Sequence, residues 1–207
     1  MRVILWLNAI CLFVTVGLFA GQTDLPGDSP REVLQRFCEL DLDGAQLDAK
    51  GWREVANFFM RPAFEPPSKI VVASSKYGVS EAKINELRAK LYVQALEWGE
   101  IDESLEFIPA TEHPIHPIPV RSLYTLYFTD THWERQSDGT STKRTSSHPE
   151  WRIEGSPAVR TISVETAIRY VTRLSEESTN AKLRQNAKRS VARLQGLGER
   201  ARSGSDR

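Results

Sequence analysis

The stretch VSEAKINELRAKLYVQALEWGEID, residues 79–102, holds the reading that decides the fold. From Leu87 to Ile101 its period is two. Ala89, Leu91, Val93 and Ala95 face one way, and Arg88, Lys90, Tyr92 and Gln94 face the other, which is the signature of a half-buried strand. Val79 to Ile84 alternates more weakly, and Asn85-Glu86 between the two runs marks a tight turn. The segment therefore reads as an antiparallel hairpin with one apolar face that needs a cover.

The cover is sought upstream. Ser29-Pro30-Arg31-Glu32 is a helix start: Ser29 can cap, Pro30 suits the first turn, and Glu32 can reach back to the cap. Val33, Leu34, Phe37, Cys38, Leu40 and Ala45 then recur at helical spacing. Asp48 and Gly51 punctuate the chain, and Trp52, Val55, Ala56 and Phe59 make a second, shorter amphipathic helix. Arg61 to Ser68, with Pro62, Pro66 and Pro67, reads as a loop, and Ile70 to Ala73 as a β-branched strand.

Downstream, His113 to Pro119 is a proline-rich connection. Ser122 to Arg135 alternates again, with Tyr124, Leu126 and Phe128 on one face. Asp138-Gly139 marks a turn inside a polar loop from Gln136 to Pro149, and Trp151 to Glu154 reads as a short last strand. Ser163 caps a helix with the stripe Val164, Ala167, Ile168, Val171 and Leu174. A final helix from about Asn180 carries Leu183, Ala187, Val191 and Leu194. Helices first, then antiparallel strands, then helices imply an α+β domain with the helices on one face of the sheet.

The N-terminus adds an address. Arg2 precedes an apolar run from Val3 to Ala20, broken only by Asn8, Thr15 and Gly17, with small residues at Ala20 and Gly21. This pattern reads as an export signal over residues 1–21, followed by a flexible linker over 22–28. Leu18 departs from the small-x-small cleavage rule. The run is also near the minimum needed to span a bilayer, so an uncleaved, outward-facing N-terminal anchor is the competing reading. The expected organisation continues with an α+β domain over 29–160, C-terminal helices over 161–198, and a disordered basic tail over 199–207.

Composition sets further bounds. The 207 residues carry no net charge, yet Lys182 to Arg207 holds eight basic residues against two acidic ones, and the body before it is acidic on balance. Removal of the leader would leave Cys38 as the lone cysteine, so an exported form would have no internal disulfide. The stripe position of Cys38 points to a buried thiol. The basic terminal helix could pack on its own acidic body, with an anionic membrane surface as the second reading. Export argues against nucleic acid.

The quoted hairpin, the helical stretch REVLQRFCELDLDGAQLDAKGWREVANFF, and the later SLYTLYFTDTHWERQ and PEWRIEG together resemble the NTF2-like (SnoaL-like) superfamily over roughly residues 29–155. The resemblance implies a cone-shaped curved antiparallel sheet with a pocket between sheet and helices. It implies no particular reaction, because this superfamily includes isomerases, cyclases, dehydratases and non-enzymatic binding modules. The polar loop after Gln136 and the two last helices depart from the pattern.

Within such a pocket, strand parity would bring Glu97, Asp130 and His132 near the mouth. A buried carboxylate there could act as general base beside a carbonyl, with His132 as its partner. The competing reading is that these residues mark where strands leave the core. Tyr92, Trp98, Tyr124, Tyr127 and Trp133 could line an apolar ligand site. His113 and His116, with His132 or His148, have only weak zinc spacing. DLDG at 41–44 resembles a calcium loop but places its glycine too early, and reads instead as an exposed helix end. No metal and no cofactor are expected. The function expected is an exported, non-catalytic ligand-binding or protein-interaction module, open to pairing as a homodimer. The alternative is a small-molecule isomerase or lyase.

Overall fold

A computed structural model describes residues 28–63, 65, 69–112, 121–136, 138–155, 157 and 159–204. The expected leader and all but the last residue of the linker lie outside the described residues, as do His113, His116 and the last three positions of the tail. Among the described residues no helix is long and apolar enough to cross a membrane.

Helix α1 (Pro30–Leu42) starts where Ser29 predicts. The Ser29 hydroxyl accepts from Glu32 N, and the Glu32 carboxylate accepts from Ser29 N at 2.7 Å, a complete capping box. It ends in a Schellman turn: Gly44 sits at φ 94, Gly44 N donates to Asp41 O, and Ala45 N donates to Leu40 O. The DLDG segment is thus a helix end, but only partly exposed, because Asp41 is 4% exposed. Asp48 is the N-cap of α2 (Ala49–Ala56), accepting from Lys50 N and Gly51 N. Gly51 therefore lies inside the helix rather than breaking it. A Cβ there would stand 2.6 Å from Ala45 O, so the close approach of α2 to the turn after α1 needs glycine.

The sheet has six strands. They are β1 (Val71–Ile84), β2 (Arg88–Ile101), the short β3 (Phe107–Pro109), β4 (Arg121–Arg135), β5 (Ser141–Glu154) and β6 (Arg160–Ser163). Their order is β5-β4-β2-β1-β6, with β3 added to β2. The separate runs read at Ile70–Ala73 and Val79–Ile84 fuse into one long β1. The Asn85 turn forms as expected, with the Asn85 side chain accepting from Leu87 N and Arg88 N. Two expectations are corrected. The sheet is mixed rather than antiparallel throughout, because β6 pairs parallel to β1 from Val71↔Arg160 to Ser74↔Ser163. And much of the polar 136–149 stretch is strand: β5 starts at Ser141 and pairs with β4 out to Arg135. Its side chains up to Glu150 are mostly exposed, so hydrophobic alternation could not reveal it.

Helices α1, α2, α3 (Val164–Glu177) and α4 (Ala181–Gly204) all cover one face. On β1, Val71, Ala73, Tyr77 and Val79 point to that face, and their partners Ile101, Gly99, Ala95 and Val93 do so on β2. The helices divide this face into two cores. Under α1 and α2, Leu34, Phe37, Val55 and Phe59 meet Leu91, Leu126 and Ile153. Under α3 and α4, Ala167, Val171 and Leu194 meet Val71, Ala73 and Phe107. Phe37, Phe59 and Leu126 are essentially fully buried, and each such side chain contributes roughly 1.5–3 kcal/mol relative to exposure. Cys38 is buried as expected, and burial pushes its thiol pKa well up.

The last helix runs to Gly204, past the end expected at 198. Its apolar stripe is occupied by its own domain: Ala187, Leu194 and Leu197 are buried in the second core. Polar residues on the same side bind the β2–β3 turn and the segment after β3. Asn186 donates to Ser104 O at 3.0 Å and Ser190 to Leu105 O at 2.8 Å, both in the turn, and Arg193 donates to Glu112 beyond β3 at 3.0 Å. Lys182, Arg184, Lys188 and Arg200 remain exposed.

Candidate functional site

The site begins with a backbone staple. After α2 the chain runs along β5: Ile153 N donates to Phe58 O at 2.7 Å, and Met60 N donates to Ile153 O at 2.9 Å. The Met60 carbonyl then accepts from Trp133 N of β4 at 2.8 Å. Trp133 lies beyond a break in the β4–β5 register. Thr129 pairs with Glu150 but Thr131 pairs with Thr145, so Ser146 to Pro149 bulge out of the ladder. The distal part of the hairpin is thereby held as an arm against the segment that follows α2.

A cavity of about 650 Å³ lies between α2, residues 57–63 and 65, and this arm. Trp52 and Phe59 form one wall, with ring centroids 5.7 Å apart. The indole Nε1 of Trp52 donates to Ala63 O at 2.9 Å, so the ring is fixed and its polar atom satisfied. Trp133 also lines the cavity, and the Arg61 guanidinium lies over its ring at 5.3 Å. His132 and Glu134 come from the arm, and Arg152 from β5.

The charges of this lining differ in how they are committed. Arg152, 8% exposed, donates to Asn57 O and Glu150. Glu134 accepts from Arg144 Nε at 3.0 Å and stands 3.5 Å from His132 Nε2. The Arg144 hydrogen bond, with a smaller contribution from His132, holds the Glu134 carboxyl below the usual carboxylate range. His132 Nδ1 is enclosed and has no hydrogen-bond partner among the described residues.

The structure separates the residues that strand parity joined. Glu97 is exposed at φ 47, with Ser75 Oγ 3.4 Å from its carboxylate, on the β1 side of the sheet. Asp130 sits in the register break and is exposed, accepting from Thr131 Oγ1 at 3.0 Å. The break ends the alternation that would have aimed it inward. His132 alone of the three lines the cavity.

The aromatic set divides as well. Trp133 lines the cavity. Tyr124 belongs to the first core, 5.9 Å from Phe37, and burial pushes its phenol well above the ordinary value. Trp98 packs against Val72 and Val159. Tyr92 and Tyr127 lie on the sheet face away from the helices, Tyr127 under the Arg88 guanidinium at 5.4 Å. Sequence reading missed Trp52, Phe59, Arg53 and Arg152. The first two carried only a core signal, and nothing local linked α2 to residues eighty positions later.

No family model, curated protein or solved structure matches this chain.

Proposed function

We propose that this chain is an exported, non-catalytic binding module that takes a small organic ligand between α2 and the β4–β5 arm. One observation carries the reading: a cavity of about 650 Å³ beside the half-buried Trp133, backed by the buried Trp52 and Phe59, with charged groups from α2, β4 and β5 around it. Its volume is in the range of small-molecule sites, and its lining is divided evenly between apolar and polar residues. Two N-terminal helices over one face of a sheet support the NTF2-like resemblance as part of the same proposal. The export component rests on the sequence of residues 1–21.

The test is titration of the protein with a panel of small aromatic compounds while the indole N–H resonances are followed. Shifts confined to Trp52 and Trp133, abolished by Ala56→Trp, are expected. A panel that moves neither indole would overturn the reading. Fusing residues 1–40 to a reporter tests export, and retention of the reporter in the cytoplasm would remove that part.

The isomerase or lyase alternative keeps one supporting contact, His132 beside Glu134 at the cavity. The Arg144 bond that lowers the Glu134 carboxyl makes it a weak base, which favours binding over proton abstraction. Glu134→Gln with His132→Asn distinguishes the two: turnover of any substrate that this pair abolishes would establish the enzyme.

A further inference from the structure

The end of the β1–β2 hairpin gathers charge and apolar surface that the domain itself does not use. Lys83 of β1 stands directly opposite Lys90 of β2, and Arg88 follows two residues away on the same face. Like charges directly opposite one another in a ladder are destabilising. None of these three cations forms an ion pair among the described residues. Glu86 in the turn offsets one of them, and Glu81 lies across the bulge at Ala82 with the opposite parity. The turn also exposes Leu87, at 62% the most exposed large apolar side chain among the described residues, and beside it Ile84 at 42%. Two such side chains left in water forfeit the gain of burial.

The N-terminal chain enters the domain at the same end. Phe128 N donates to Leu87 O at 3.0 Å, and Phe128 lines a groove together with Asp28, the first described residue. Upstream of Asp28 lies the apolar run Val3–Ala20. The step from Ala20 to Asp28 spans at most about 28 Å, so a membrane holding that run is within reach of the hairpin end. We propose that this hairpin end docks on a bilayer surface rich in anionic phospholipid headgroups. Lys83, Arg88 and Lys90 meet the headgroup phosphates, and Ile84 and Leu87 enter the boundary between headgroups and acyl chains. Such a surface supplies anions to a cluster of cations that has no ion-pair partner, and an apolar layer to side chains the domain leaves exposed. Helix α4, the other basic element, has its apolar stripe taken by the second core and offers a bilayer charge alone.

The test uses the full chain in a Cys11→Ala background, where the remaining Cys38 is buried. An environment-sensitive dye is placed on Ala82→Cys at the hairpin or, as the control, on Ala192→Cys on the exposed side of α4. Vesicles of equal parts phosphatidylglycerol and phosphatidylcholine are expected to shift the hairpin dye to the blue and leave the α4 dye unchanged. Vesicles of phosphatidylcholine alone should shift the hairpin dye less. Lys83→Gln and Lys90→Gln should each raise the lipid needed for a half-maximal shift about fivefold, and Leu87→Ser about tenfold. These side chains lie at the surface, and circular dichroism checks that the variants fold. Equal shifts in the two kinds of vesicle would show that the apolar run alone delivers the dye, and would overturn the proposal. A silent hairpin dye beside a shifted α4 dye would move the contact to α4, and silence of both would remove it. Reversal of the shift by inorganic phosphate would make the cluster a site for the free anion instead of the bilayer.

Discussion

The Ser190 hydroxyl accepts the Phe107 amide at 2.7 Å across 83 residues of chain, and donates in turn to the Leu105 carbonyl at 2.8 Å. One side chain of the last helix thus satisfies a donor and an acceptor of the β2–β3 turn, where Leu105 holds φ 59. Ser190 is 1% exposed, so water cannot replace it. Ser190→Ala should therefore destabilise the domain by roughly 1–3 kcal/mol, the cost of stranding buried polar groups. Urea unfolding measures this, and a loss below about 0.5 kcal/mol would show that the turn rearranges.

Gly99 lies beneath Phe107. A Cβ at this position would stand 2.4 Å from the Phe107 ring and 2.6 Å from Ile108 O. Gly99→Ala must displace either a fully buried ring or a paired strand, and should cost about 1–3 kcal/mol. Gly78, whose Cβ would meet nothing within 4 Å, is the control on the neighbouring strand. Thermal melts of the two alanine variants should differ clearly.

Asp41 supplies a pH dependence. Its carboxylate accepts from Gln46 Nε2 at 2.8 Å and Thr161 N at 3.1 Å, but burial outweighs these bonds and pushes its pKa from 3.8 up to about 7. The folded state then holds a proton that the unfolded chain releases above pH 3.8. The stability linked to that proton is complete below the unfolded value and is lost as pH rises through about 7. Asp41→Asn should flatten this dependence, with its stability relative to the parent rising by roughly 2–4 kcal/mol between pH 4 and pH 9. Unfolding free energies at the two pH values decide it, and parallel curves would show that Asp41 stays charged at low cost.

Cys38 should be chemically silent until the domain opens. It is 6% exposed in the first core, and its thiol is held far from ionisation. In a Cys11→Ala protein, maleimide labelling should track unfolding, speeding by orders of magnitude in denaturant. Fast labelling in native buffer would mean that α1 lifts readily from the sheet.

Legibility in the sequence followed the range of the signal. Helix α1 was readable because its whole start lies within four residues, Ser29 to Glu32, and its stripe repeats locally. β2 was readable because Ala89, Leu91 and Ala95 alternate against the covered face. β6 was not. Four residues with only Ile162 fully buried carry no periodicity, and their strand state comes from pairing with β1 almost ninety positions earlier. The distal half of β5 was hidden for a related reason: its backbone is paired to β4 while its side chains meet solvent.

For the candidate site, sequence parity pointed to His132, which lines the cavity, but also aimed Asp130 inward, because alternation was carried through a register break that only strand pairing creates; Trp133 came from the aromatic set instead. Local spacing and capping chemistry by themselves determined the α+β class, the helical cover and the buried thiol. The order of the strands, the parallel edge at β6 and the cavity beneath the arm were decided by tertiary structure alone. Those features rest on backbone hydrogen bonds between distant segments, such as Trp133 N to Met60 O, and a backbone amide is the same donor whatever side chain it carries.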